Sequence, residues 1–228
     1  MSKVRQGQNP LPLAETGSDA RAWVAEALGT ALVVAAVVGS GIMAERLAAG
    51  QQALALLANT LATGAALLAL ILSFGPISGA HFNPLVSAAA AFEGRLRPGA
   101  ALGFVAAQFG GGWLGTLAAQ AMFGLPLIQA SGRVRSGPEL WLSEALASFT
   151  LLLVIGLCSR RRPDATPLAV AATITAAYWF TASTAFANPA VTLARAASAN
   201  FAGIRLADVA AFCNGQGLRA AVRAPLHR

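Results

Sequence analysis

The chain has 228 residues, of which 56% are hydrophobic and 11% are charged, with a formal net charge of +7. A soluble domain carries roughly twice that share of charge, so a water-soluble globule is a poor fit. The 16 Lys and Arg residues lie in the gaps between apolar runs and not on one basic stripe, which argues against a nucleic-acid partner and for a membrane protein with basic loops.

Residues 1–20 read as a polar cytoplasmic tail. They hold Pro10 and Pro12 and lack the charged-then-apolar layout of a secretory signal. A membrane-crossing helix needs about 20 apolar residues. Runs of that kind occur at Trp23–Met43, Ala53–Phe74, Ala100–Met122, Leu140–Leu157 and Leu168–Phe186. Gly110, Gly111 and Gly112 fall inside the third run, so they read as close helix packing and not as a phosphate loop.

Two shorter segments follow Asn83 and Asn188. Charge at Glu93 and Arg95 ends the first, and polar Ser198 and Asn200 end the second. Neither is long enough to span. Each is expected to re-enter the bilayer, where irregular backbone survives only when buried in protein or lining a wet cavity.

A sixth run should begin near Ile204, and Ala207 to Phe212 starts well. Cys213, Asn214, Gly215, Gln216 and Gly217 follow, then Arg219, Arg223, Pro225 and His227. An arginine at mid-bilayer costs about 2.5–3.5 kcal/mol on insertion scales. The sixth span therefore reads as degraded, and residues 213–228 as an aberrant polar tail that does not cross. Either a full last helix was lost through a frameshift or truncation, or the tail is a variant that lies at the surface.

The charges between runs predict orientation. Lys3, Arg5, Arg21, Arg95, Arg97, Arg160, Arg161 and Arg162 fall on one side, and Arg46, Arg133, Arg135, Arg195 and Arg205 on the other. The more basic side is the cytoplasmic one, which places the N-terminus inside and the protein in the inner, cytoplasmic membrane.

The chain also repeats. Ala25-Glu26-Ala27-Leu28 opens the first run and Ser143-Glu144-Ala145-Leu146 opens the fourth. The segments at Asn83-Pro84 and Asn188-Pro189 match in the same way. Repeat 1 covers about residues 21–122 and repeat 2 about 139–212, together forming one channel domain. Three spans per half make the two copies run in opposite directions, an arrangement that points to a midplane site.

Proline suits the first turn of a helix because it has no N–H to leave unpaired, and asparagine before it is a good cap. Two such short helices entering from opposite faces would meet N-terminus to N-terminus. Their positive dipole ends would converge, and the asparagine amides could face a passing oxygen. One Asn-Pro is an ordinary turn signal, whereas two in matching places are specific. Cys158 and Cys213 define no disulfide framework, and His81 and His227 are too few for a metal site. No cofactor is implied, and no nucleophile–base pair suggests an enzyme.

These features resemble the aquaporin/glycerol-facilitator family, the major intrinsic proteins, from about residue 22 to 212. The markers are Glu26-Ala27-Leu28-Gly29-Thr30, Ile77 through Pro84, Ala107-Gln108, Glu144 and Asn188-Pro189-Ala190. Ser159-Arg160-Arg161-Arg162 and the stretch from Tyr178 to Ser183 are similar to bacterial members associated with arsenic-resistance gene clusters. The resemblance implies an all-α membrane protein with an aquaporin-like inverted repeat, six tilted helices and two re-entrant half-helices. It also implies a homotetramer with a pore in each subunit.

The pore motifs are then Asn83-Pro84-Leu85 and Asn188-Pro189-Ala190. Leu85 stands where the family usually has alanine, and its bulk is expected to crowd the seam between the half-helices. Glu26 and Glu144 lie within apolar spans. A buried carboxylate is a functional candidate, but their matching positions favour a structural role in holding the re-entrant loop of each half. Gln108 and Thr30 read as packing or backbone-bonding residues. In family members that select water, an arginine directly follows the second Asn-Pro-Ala. Val191 occupies that position here, and counting back without gaps puts its partners at Thr63, Ala176 and Ala185. Arg195 lies one helical turn beyond Val191.

Losing arginine and bulk should widen the constriction. The expected function is a passive channel in the lipid bilayer for small uncharged solutes: glycerol, trihydroxy metalloids such as arsenite, and water. The rivals are a water-only channel, a secondary transporter, and a non-conducting paralogue with a broken last helix.

Overall fold

The computed structural model describes residues 20–217. They form eight α-helices and one short 3-10 turn, with no strand among the described residues. The helices are α1 (Ala20–Leu47), α2 (Gln52–Ser78), α3 (Pro84–Phe92), α4 (Pro98–Met122), α5 (Pro138–Arg161), α6 (Thr166–Phe180), α7 (Pro189–Arg195) and α8 (Leu206–Gly217). Each half reads helix, helix, half-helix, helix; the last, α8, has 12 residues within the described chain, short of the about 20 that a crossing needs. α1, α2 and α5 are long and apolar enough to cross a membrane by length and hydropathy alone.

The same packing recurs in both halves. α1 packs on α2 and α4, and α5 packs on α6 and α8, while α2 meets α6 and ties the halves together. The half-helices lean on the last span of their own half, α3 on α4 and α7 on α8, and α7 also reaches across to α4.

Small residues permit the closest approach. A side chain at Gly111 or Gly115 of α4 would run into the backbone carbonyls of Ala27 and Ala31 in α1. Both helices thus present a small residue every fourth position, the pattern that lets backbones touch in a bilayer. The expected role of the Gly110–Gly112 run is observed here for Gly111.

Several helices overrun the expected apolar runs by a few residues, as α1, α2 and α5 do, and two boundaries differ in ways that bear on the site. The fifth span ends at Phe180 and not at Phe186, because Thr184, Ala185 and Ala187 have φ of 62°, 45° and 45° and cannot continue a right-handed helix. At the other end, α8 runs five residues past the boundary expected at Phe212. Two residues there face protein: Gly215 sits against the backbone of Trp141 in α5, and Gln216 is fully buried, while Asn214 is exposed. The predicted N-terminal tail up to residue 19 and the tail residues Arg219, Arg223, Pro225 and His227 lie outside the described residues.

The connection from α4 to α5 folds back over α7. Gln129 and Ser131 donate backbone bonds to Ala197 and Ala196 (2.9 and 3.0 Å), and Arg205 donates to the carbonyl of Arg133 (2.7 Å).

Candidate functional site

The two half-helices start as the sequence predicts. Asn83 and Asn188 cap α3 and α7 from extended backbone, with Pro84 and Pro189 in the first turn. The Asn83 Oδ1 accepts from the Leu85 N–H (2.9 Å), and the Asn188 Oδ1 accepts from Ala190 and Val191 (3.0 and 3.3 Å). The amides then cross. Asn83 Nδ2 donates to the Ala187 carbonyl (2.8 Å), and Asn188 Nδ2 donates to the Phe82 carbonyl (2.7 Å). Each cap therefore clasps the backbone just before the other cap, and the positive ends of α3 and α7 are held together. Leu85 is buried and leaves both the cap and the crossing bond of its half intact.

The loops that deliver the caps are strained in the same places. Ala80 and Ala185 precede their asparagines by three residues, Phe82 and Ala187 by one, and all four have φ between 45° and 50°. Left-handed backbone is costly for a side chain as large as Phe82, so something must hold it.

Glu26 and Glu144 do so. Glu26 Oε1 accepts from the Ser78 hydroxyl (2.6 Å) and the His81 N–H (2.9 Å), and its Oε2 accepts from the Phe82 N–H and Gln108 Nε2 (both 2.7 Å). Glu144 Oε1 accepts from the Phe186 N–H (2.9 Å), and its Oε2 accepts from the Ala187 N–H (2.8 Å) and Gln216 Nε2 (2.6 Å). Gln108 also donates to Ser87 and Gln216 to Thr192 (both 2.9 Å), four residues after their respective asparagines. The halves thus carry the same frame of carboxylate, loop backbone, glutamine and half-helix hydroxyl. Both carboxylates thus spend their oxygens on the pore loop and the glutamine of their own half. Sequence reading missed Gln216, Ser87 and Thr192; mapping Gln108 onto the second half would have found the first.

The four residues expected at the constriction are not all brought together. Thr63 is buried on α2, with its hydroxyl 3.3 Å from that of Tyr178 on α6. Tyr178 and Ala185 share one apolar cluster. Ala176 is exposed, and two residues along a helix turn it about 200° away from Tyr178. Val191 is buried among Val34, Val38 and Ile42 of α1 and Ala119 of α4. Tyr178, not Ala176, is the α6 side chain that reaches Thr63.

Two arginines counted as loop charges are instead interior. Arg135 and Arg195 are 6% and 2% exposed, whereas Arg46, Arg133 and Arg205 are exposed. Arg195 bonds the Ala202 carbonyl through Nε and stacks its guanidinium 3.4 Å from the Phe186 ring centroid. Arg135 lies 4.8 Å from the same ring and donates to the carbonyls of Gly203 (2.8 Å), Ser183 (3.1 Å) and Phe201 (3.4 Å). Burial, then repulsion from Arg195 and Arg133, lowers the Arg135 guanidinium to about 9, so it stays a cation at neutral pH.

Among the described residues no group of His, Cys, Asp and Glu is placed to hold a metal, and both cysteines are free.

The sequence profile of the major intrinsic protein family matches residues 14–158. The chain is also similar to the aquaglyceroporin AqpS of Rhizobium meliloti (strain 1021), with 54% identity over 192 residues, 84% of this chain and 82% of that protein.

Proposed function

The chain belongs to the major intrinsic protein family, a family of membrane channels and not of enzymes, and from that premise we propose that it conducts glycerol, trihydroxy metalloids such as arsenite, and water down their gradients. Each asparagine amide has two N–H groups, and one is committed to the opposite loop carbonyl. That leaves the second of each for a solute hydroxyl at the meeting point of two positive helix ends. This pair of amides is the observation that carries the reading. Val191 supports the wider solute range, because its apolar side chain packs against α1 and α4 and puts no guanidinium into the path. The relative's name, an aquaglyceroporin, points the same way.

We place the constriction at Thr63, Ala185 and Val191, with Tyr178 backing Thr63 on the α6 side and Ala176 one turn-face away. Arg21, Arg95, Arg97 and Arg160–162 belong to the cytoplasmic end in this reading, and Arg46, Arg133 and Arg205 to the outer end. The N-terminus is then cytoplasmic, the membrane is the inner one, and the assembly is a homotetramer.

A coupled transporter needs a carboxylate free to exchange its ion. Glu26 and Glu144 are fully buried and fully bonded, which weighs against it. A non-conducting paralogue draws its support from the short last helix; against it, α8 packs on α5 and α7 and places Gln216 on Glu144 and Thr192.

Stopped-flow light scattering on proteoliposomes tests the proposal. Glycerol, urea, arsenite and water fluxes should each follow the solute gradient and ignore membrane potential. A requirement for a proton or sodium gradient would overturn the channel reading. Flux of water alone would establish the water-only alternative.

A further inference from the structure

A wide apolar constriction raises a problem, because a pore that admits three-hydroxyl solutes has room for a small hydrated or organic cation. We infer that Arg195 and Arg135 supply the cation barrier from behind the pore wall, so that size selection and charge exclusion are set by different residues. The inference rests on the channel reading above.

The two side chains come from different elements and converge on one aromatic ring. Arg195 ends α7, seven residues after Asn188, and Arg135 ends the connection that folds over α7. Between them lies Phe186, adjacent to Ala185 of the constriction. Ala185 in turn shares an apolar cluster with Tyr178, whose hydroxyl meets Thr63. The pair therefore sits beside the narrow region, on its outer side.

Their partners are neutral. Arg135 donates to three backbone carbonyls, and Arg195 has one carbonyl and the ring face. The carboxylates nearby do not cancel them. Asp208 pairs with Arg205 (2.8 Å) and accepts only the backbone N–H of Arg135. Glu144 is an electrostatic neighbour of both arginines, but Arg133 is a neighbour as well. Glu45 accepts the Phe201 N–H (3.1 Å) but is exposed, and Arg46 beside it in sequence carries the opposite charge. That leaves three cations, Arg133, Arg135 and Arg195, against one buried carboxylate, Glu144. Two of the cations are inside the protein, where salt screens them little.

Placement matters. At 2% exposure, Arg195 takes little of the width of the opening. What remains is its field. A unit charge about 10 Å from the path, through an effective dielectric near 20, changes the barrier to a cation by roughly tenfold. An uncharged solute is unaffected.

Urea and the guanidinium ion are nearly the same size and shape, so comparing them isolates charge. Proteoliposomes holding the unmodified protein should pass urea and exclude guanidinium. Absence of urea, glycerol and water flux alike would defeat the channel reading itself; urea flux accompanied by guanidinium flux would defeat only this inference. Arg195→Gln and Arg135→Gln should each raise guanidinium entry by roughly tenfold while urea flux stays within about twofold. Arg195→Lys, which keeps the charge, should stay near the unmodified protein. Folded glutamine variants that still exclude guanidinium would show the arginines to be structural only. Failure of both glutamine variants to assemble, with the lysine variant failing equally, would lead to the same conclusion and overturn the inference.

Discussion

Replacing Glu144 by Gln is the sharpest test of how the second pore loop is held. The carboxylate takes one donor on Oε1, the Phe186 N–H, and two on Oε2, the Ala187 N–H and Gln216 Nε2. A glutamine has one acceptor oxygen. Its better orientation keeps the two donors of the Oε2 side and turns its own NH2 toward the Phe186 N–H. One buried donor is then unmet, at about 1–3 kcal/mol, and two charge-assisted bonds become neutral ones, at about 1 kcal/mol each. The sum is about 3–5 kcal/mol. In a soluble protein of this size each kcal/mol lowers Tm by about 2–4 °C, so a fall of order 10 °C is expected in detergent. Glu26→Gln should behave alike, because the same orientation strands the His81 N–H. Solute flux should fall with stability, since Ala185 and Ala187 lose the restraint on their left-handed backbone. The measurements are thermal unfolding and glycerol flux on the same preparation. A Tm within 2 °C of the unmodified protein, with flux altered only as pH changes, would refute the structural role and revive a proton relay.

Asn188→Asp removes the donor to the Phe82 carbonyl and puts a carboxylate among positive helix ends; a cation leak or lost assembly is expected, and normal flux without leak would show that this amide does not face the path. Val191→Arg should cut glycerol and arsenite flux at least about tenfold while water flux survives, because a guanidinium brings bulk and five N–H donors; equal loss of all three would trace to overpacking against Val34, Val38 and Ile42. Gln216→Leu deletes bonds to Glu144 and Thr192 and should cost about 2–4 kcal/mol, read as a Tm drop; an unchanged Tm would mean that α8 is not packed through Gln216.

What the sequence displayed was whatever is rare in its setting. A glutamate inside an apolar run and an Asn-Pro repeated at matching places have few explanations, and both led to the frame that the structure contains. What it hid depended on contacts from far along the chain. Residues Thr181 to Phe186 are apolar enough to prolong α6, and it is Glu144, more than 40 residues away, that takes the N–H groups of Phe186 and Ala187 at the end of the loop. Gln216 sits in a polar stretch that reads as a surface until Glu144 is placed beside it. Gap-free counting reached Ala176, while the side chain that meets Thr63 is Tyr178, about 200° round the helix. Arg135 and Arg195 were counted by sign alone, and only burial separates them from the loop arginines.

The internal repeat shows where the two halves stop being alike. Three residues after each asparagine both carry a buried valine, Val86 and Val191. Four residues after, both carry a hydroxyl that the glutamine of their half binds, Ser87 and Thr192. Seven residues after, the first half has Ala90 in an apolar cluster with Phe104, and the second has Arg195 stacked on Phe186. The connection that overlies α7 adds Arg135 to the same ring. A frame shared by both halves holds the strained loops and crossed amides in place, which demands the same bonds twice. The buried charge is needed only once along a path that every solute must travel in full, so a single cationic girdle at one mouth suffices to exclude cations moving in either direction. Substitutions that remove bonds from the shared frame without adding charge should therefore lower stability and all fluxes together. Substitutions at Arg135 and Arg195 should instead separate charged from uncharged solutes, and that contrast in readout distinguishes the part of the molecule that builds the pore from the part that filters it.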